Sequence, residues 1–142
     1  MSSISTDPDF FQRHSDNYLK MAFCTDYREI FEHPDGYGKR TGHCGDTIEF
    51  YIDIENQVMK YVAYAADGCL NTHACANTVA HWMQGKPLEA GWDLTPDQIV
   101  AFLETLPDDE HHCAELAAGA FYLALTDATQ KRGDASVSET AS

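Results

Sequence analysis

At 142 residues the chain fits a single domain, long enough to bury a core without disulfide staples. A composition of 44% hydrophobic and 11% aromatic residues is globular, and no apolar run approaches the roughly 18 residues that cross a bilayer. The formal charge of −14, from 23 acidic against 9 basic side chains, repels nucleic acid and anionic membrane surfaces and favours basic proteins or metal cations as partners. Five cysteines, an odd number in a domain of ordinary size, point to reduced thiols used in metal or thiol chemistry. Met1 to Phe11 has neither a basic start nor an apolar core, so no targeting peptide fits and a cytoplasmic location is expected.

In chain order, residues 1 to 8 read as a disordered tip, and apolar spacing predicts a helix from Asp9 to Phe23, with Asp7 as its cap. A second helix is expected over Tyr27 to Glu32, stopped by His33-Pro34-Asp35-Gly36. Gly36 to Gly42, with three glycines in seven positions, reads as a mobile loop. Thr47 to Ile54 alternates as a half-buried strand, Glu55-Asn56-Gln57 turns, and Val58 to Ala66 returns as its hairpin partner. Leu70 to Gln84 suits a helix stopped by Gly85. Thr95-Pro96-Asp97-Gln98 has the form of a capping box opening the next helix, which Leu106-Pro107 ends. Asp108 is expected to cap a last helix reaching about Thr126. These spans imply an N-terminal extension over 1–24, a folded domain over 25–127 and a flexible tail over 128–142.

Three segments carry donor side chains at junctions between loops and regular elements. They are Cys44-Gly45-Asp46 before the first strand, Cys69 between the second strand and a helix, and His112-Cys113 at the start of the last helix. Soft thiolates with one carboxylate and one imidazole suit zinc or an iron-sulfur cluster, and five candidates for about four tetrahedral positions favour exchange over permanent binding. Against this stands the ordinary fate of a free cysteine, a small buried apolar residue. Cys75, six residues after Cys69, points to another helical face and suits the core, and Cys24 reads as structural. His73 shares a face with Cys69 but reads as a packing residue, His111 as the bland neighbour of His112, and Asp108-Asp109-Glu110 as a solvated helix start.

The spacing of His33-Pro34, Cys44-Gly45-Asp46, Gly68-Cys69, Gly85-Lys86-Pro87-Leu88 and His112-Cys113 resembles the IscU/NifU-type iron-sulfur cluster assembly scaffolds from about Tyr27 to Leu125. The resemblance implies an α+β fold, a three-stranded antiparallel sheet flanked by helices, with one strand that periodicity does not locate. It also implies that Cys44, Asp46, Cys69, His112 and Cys113 form a site where sulfur from a cysteine desulfurase meets iron. A transient 2Fe-2S cluster would be built there and passed to recipient apo-proteins, with Zn2+ held in the cluster-free form. Such a protein is a scaffold, monomeric or homo-dimeric, and not an enzyme. The related zinc-dependent sulfurtransferases are the alternative; they carry an insertion between the second and third cysteines and lack the histidine, whereas here 44 positions separate Cys69 from Cys113 and His112 is present. Leu106-Pro107-Asp108-Asp109-Glu110 stands where chaperone-served scaffolds have Leu-Pro-Pro-Val-Lys, which speaks against delivery through that dedicated chaperone.

Overall fold

The computed structural model describes residues 13–42 and 45–141, with side chains to residue 131. The expectations for residues 1 to 8, for the Asp7 cap and the helix start at Asp9, and for His43 and Cys44 lie outside the described residues. The elements are α1 (Asp16–Phe23), β1 (Gly36–Thr41), β2 (Thr47–Glu55), β3 (Val58–Asp67), α2 (Leu70–Met83), a 3-10 turn (Leu88–Asp93), α3 (Pro96–Leu103), a second 3-10 turn (Asp108–Glu110) and α4 (His112–Ala141). The strands form one antiparallel sheet in the order β1-β2-β3. The expected α+β architecture is the one observed.

On β2 the alternation works as read, with Ile48, Phe50 and Ile52 fully buried on the inner face. A bulge opposite Asp53 and Ile54 leaves Lys60 unpaired on β3, which brings Met59 inward beside Val62 and Tyr64. Helix α4 lies over β1 and β2, α2 lies over β3, and α1 and α3 pack against the helical layer. Ser15 caps the described helix α1 by accepting from the Tyr18 amide. Its hydroxyl also donates to the Leu103 carbonyl at 2.7 Å, tying α1 to the end of α3. The capping box at Thr95 and Gln98 forms as expected.

Three expectations are corrected. Gly36 to Thr41 is a strand, not a loop, and its glycines are there for contact rather than mobility. Gly36 and Gly38 pair with Ile52 and Phe50, so both face the helical layer. A Cβ on Gly36 would sit 2.6 Å from the Ala124 carbonyl oxygen, and one on Gly38 would overlap the backbone at Ala120 and Ala124. The missing side chains let α4 lie directly on the sheet. Tyr27 to Glu32 is not a helix. Arg28 bridges Tyr64 in parallel, with Tyr64 N–H donating to the Tyr27 carbonyl at 2.9 Å and Glu29 N–H to the Tyr64 carbonyl at 3.0 Å. A six-residue helix is marginal on its own, whereas covering the open edge of β3 satisfies backbone groups that would otherwise stay exposed. The last helix is not capped by Asp108, which belongs to the 3-10 turn, and α4 runs past Thr126 to Ala141 with Ala128 fully buried. Among the described residues no helix is long and apolar enough to cross a membrane.

Candidate metal centre

The end of the sheet where β2 begins and β3 finishes lies against the first turns of α2 and α4. Asp46 precedes β2, and the Gly42 amide donates to its carbonyl at 2.8 Å, so the residues on either side of 43 and 44 are tied together. Gly45 has a φ of +89°, a conformation that glycine adopts without strain. Cys69 is the N-cap of α2, in extended conformation after the end of β3. Gly68 has to be bare as well, because a Cβ there would lie 2.8 Å from the Asp46 carboxyl carbon and 2.9 Å from Thr72 Oγ1. Cys113 sits in the first turn of α4, fully buried.

The donor atoms of Asp46, Cys69 and Cys113 all lie within 4.8 Å of one another, as do those of Glu110, His112 and Cys113. Three of the five residues read from the sequence as ligands, Asp46, Cys69 and Cys113, therefore share one donor group, and a fourth, His112, joins Cys113 in the second. Cys44 lies outside the described residues. Two neighbours escaped the sequence reading. Thr72, fully buried, sits between the donors, with its hydroxyl 2.7 Å from Asp46 Oδ2, 3.6 Å from Cys69 Sγ and 3.7 Å from Cys113 Sγ. Its spacing of three from Cys69 on a helix was the available signal. Glu110 turns its carboxylate to 3.6 Å from Cys113 Sγ and 3.9 Å from His112 Nε2.

Protons are divided unequally across this cluster. The Cys69 thiol is pulled down to about 4, chiefly by the Cys113 thiol donating to it; burial opposes the shift, and the Thr72 hydroxyl and the Thr72 and Asn71 amides assist. Thr72 has a single hydroxyl proton, and the short contact assigns it to Asp46; the Cys113 thiol proton in turn lies between Cys69 and the Glu110 carboxylate, 3.6 Å from Cys113 Sγ. Cys113 is pushed far up by that same hydrogen bond to Cys69 and by burial. The pair thus holds one proton and one negative charge at neutral pH. Tyr18, whose hydroxyl donates to Asn71 Oδ1, is also pushed up, by burial and by the negative charge of its neighbours.

The remaining candidates lie apart. Cys75 is fully buried in the core, with its thiol pushed up by burial. His73 packs edge-on to Tyr64 and is lowered by burial, and it belongs to neither donor group. His111 pairs with exposed Asp108 at 3.7 Å.

Residues 29–135 match the model of the NifU-like N-terminal domain. The chain belongs to that family. Iron-sulfur cluster assembly scaffold protein IscU 1 of Archaeoglobus fulgidus is 30% identical over 90 residues, which cover 63% of this chain and 59% of that protein. The scaffold protein IscU of Haemophilus influenzae is 31% identical over 91 residues, 63% of this chain and 71% of its own length. The chain thus spans under two thirds of the length of the Archaeoglobus relative. Among solved structures, the N-terminal part of a nitrogen-fixing NifU-like protein from Brucella abortus superposes with a TM-score of 0.66 at 17% identity, over 82% of this chain and 94% of that one. At that identity the likeness concerns the fold, and it agrees with the three-stranded sheet flanked by helices.

Proposed function

We propose that the protein is an iron-sulfur cluster assembly scaffold whose site comprises Cys44, Asp46, Cys69, His112 and Cys113, with a labile 2Fe-2S cluster as cargo. The observation that carries the reading is the convergence of Asp46, Cys69 and Cys113, three donors from three segments within 4.8 Å. Soft thiolates suit iron in a cluster, and the single carboxylate weakens the hold on it. Zn2+ fits the same donors when no cluster is present.

Of the two described cysteines of the site, Cys69 is the one suited to receive sulfur, because it is exposed and a thiolate, whereas Cys113 is buried and protonated. Its Sγ attacks the outer sulfur of a desulfurase persulfide. A new S–S bond forms on Cys69, the old one breaks, and the desulfurase cysteine leaves as a thiolate. Reduction of that sulfur to sulfide takes two electrons from an external donor. Cys113 gives up its proton when its sulfur takes iron. The acidic surface, at −14 overall, favours a desulfurase and recipient apo-proteins that present basic faces.

Anaerobic reconstitution with iron(II), cysteine and a cysteine desulfurase tests the proposal. A coloured protein with sulfur-to-iron charge-transfer bands is expected; a colourless product contradicts it. Zinc-dependent acceleration of desulfurase turnover without cluster formation would assign the protein instead to sulfurtransfer. Asp46→Ala should bind a cluster that outlives the wild-type one against a chelator, and an unchanged or shorter lifetime would remove the carboxylate from release.

A further inference from the structure

The acidic triplet before α4 is not uniform. Asp108 and Asp109 are exposed, whereas the Glu110 side chain retains only 29% of its exposure and turns back toward the helix it precedes. The cause is local, since the 3-10 turn places Glu110 three residues before Cys113, so that both project to the same side. The Glu110 carboxylate meets Cys113 Sγ at 3.6 Å and His112 Nε2 at 3.9 Å, and all three donors fall within 4.8 Å. For metal bonds of about 2.0–2.3 Å, two donors on a tetrahedral ion stand about 3.4–3.6 Å apart. The oxygen-to-sulfur separation already has that value, and the oxygen-to-nitrogen one exceeds it by a few tenths of an ångström.

We propose that Glu110, His112 and Cys113 form a second divalent-metal position, overlapping the first at Cys113 and suited to iron(II). One oxygen, one imidazole and one thiolate are a harder donor set than the cysteine-rich position beside it, and fit a ferrous ion not yet in a cluster. Three protein ligands leave a coordination position open for water or for the next ligand, which favours exchange. His112 also borders a cleft of about 220 Å³ that Arg40, Thr41, Gly42, Glu115 and Leu116 line with it. The sulfur-metal bond takes the place of the Cys113 proton, and Cys113 is then the ligand common to the two positions. The preference for iron rests on the scaffold reading, but the donor set itself would take any first-row divalent ion.

The test is an anaerobic Co2+ titration of the metal-free chain carrying Cys44→Ser and Cys69→Ser, with each variant's circular dichroism matched to wild type. Cys113 is then the sole thiolate among the proposed ligands. The expected result is one bound cobalt with a sulfur-to-cobalt charge-transfer band. Added Glu110→Gln or His112→Ala should weaken binding roughly 10–100-fold, while added Asp108→Asn, in the same acidic triplet but in neither donor group, should leave it unchanged. Absence of bound cobalt, or binding that Glu110→Gln leaves unchanged, overturns the second position. The titration uses neither iron nor sulfide, so its failure is separate from a failed cluster reconstitution.

Discussion

The starts of α2 and α4 each present a cysteine to the same centre, yet the two thiols are opposites. Cys69, at the N-cap, is exposed and pulled down to about 4; Cys113, one residue inside its helix, is fully buried and pushed up. A helix N-terminus favours a thiolate at both places, so the dipole does not decide between them. The direction of one hydrogen bond and the depth of burial do. Cys113 is shut off from water and keeps its proton, with Cys69 and the Glu110 carboxylate beside it, and the result is one thiolate and one thiol.

The comparison breaks most completely with Cys113→Ala. Loss of the donor should raise the Cys69 midpoint by roughly two pH units or more, read as thiolate absorbance against pH in the metal-free protein, and should abolish cluster reconstitution. A midpoint that stays near 4 would mean that the amides of α2 alone support the thiolate. Gly38→Ala acts at a distance, because its methyl overlaps the α4 backbone that carries Cys113. It should cost about 3 kcal/mol in urea unfolding and should weaken the coupling of the two thiols as α4 is displaced. Thr72→Val keeps the shape but leaves the Asp46 carboxylate without its 2.7 Å donor. A loss of about 1–3 kcal/mol is expected from the same measurement.

The same division of protons sets the pH dependence of the metal-free protein. Cys69, depressed from 9.0 to about 4, contributes stability that is complete above pH 9 and lost as pH falls through 4. Cys113, raised, contributes below pH 9 and loses that contribution above it. Between about pH 4 and 9 the unfolded chain therefore holds one proton more than the folded one, and stability from this pair climbs with pH, then declines above 9. Urea midpoints at pH 5 and 8 should differ more for wild type than for Cys69→Ser; equal differences would refute the proton count.

The regular elements were legible where burial alternates or spirals cleanly, as in β2, α2 and α3. They were illegible where a neighbour sets the conformation. Gly36 and Gly38 look like loop residues in one dimension, and only the α4 backbone lying against them makes a glycine strand sensible. Tyr27 and Phe31 look helical, but Tyr27 packs on Tyr61 and His81, and Phe31 on Tyr51 and Tyr61, along the edge and outer face of the sheet. At the centre, ligand types with long-range spacing marked Asp46, Cys69, His112 and Cys113 as partners, and the fold gathers them. Thr72 and Glu110 carry no such mark. Their part depends on which way a buried hydroxyl and a 3-10 turn point, which residue type alone does not encode.

The central claim, that this three-segment centre carries iron and sulfide as cargo, is tested most directly by the metal and acid-labile sulfide content of the protein purified without oxygen. Iron and labile sulfide in equal amounts, both lost in Cys69→Ser, are predicted. Stoichiometric zinc without sulfide, which added iron does not displace, would contradict it.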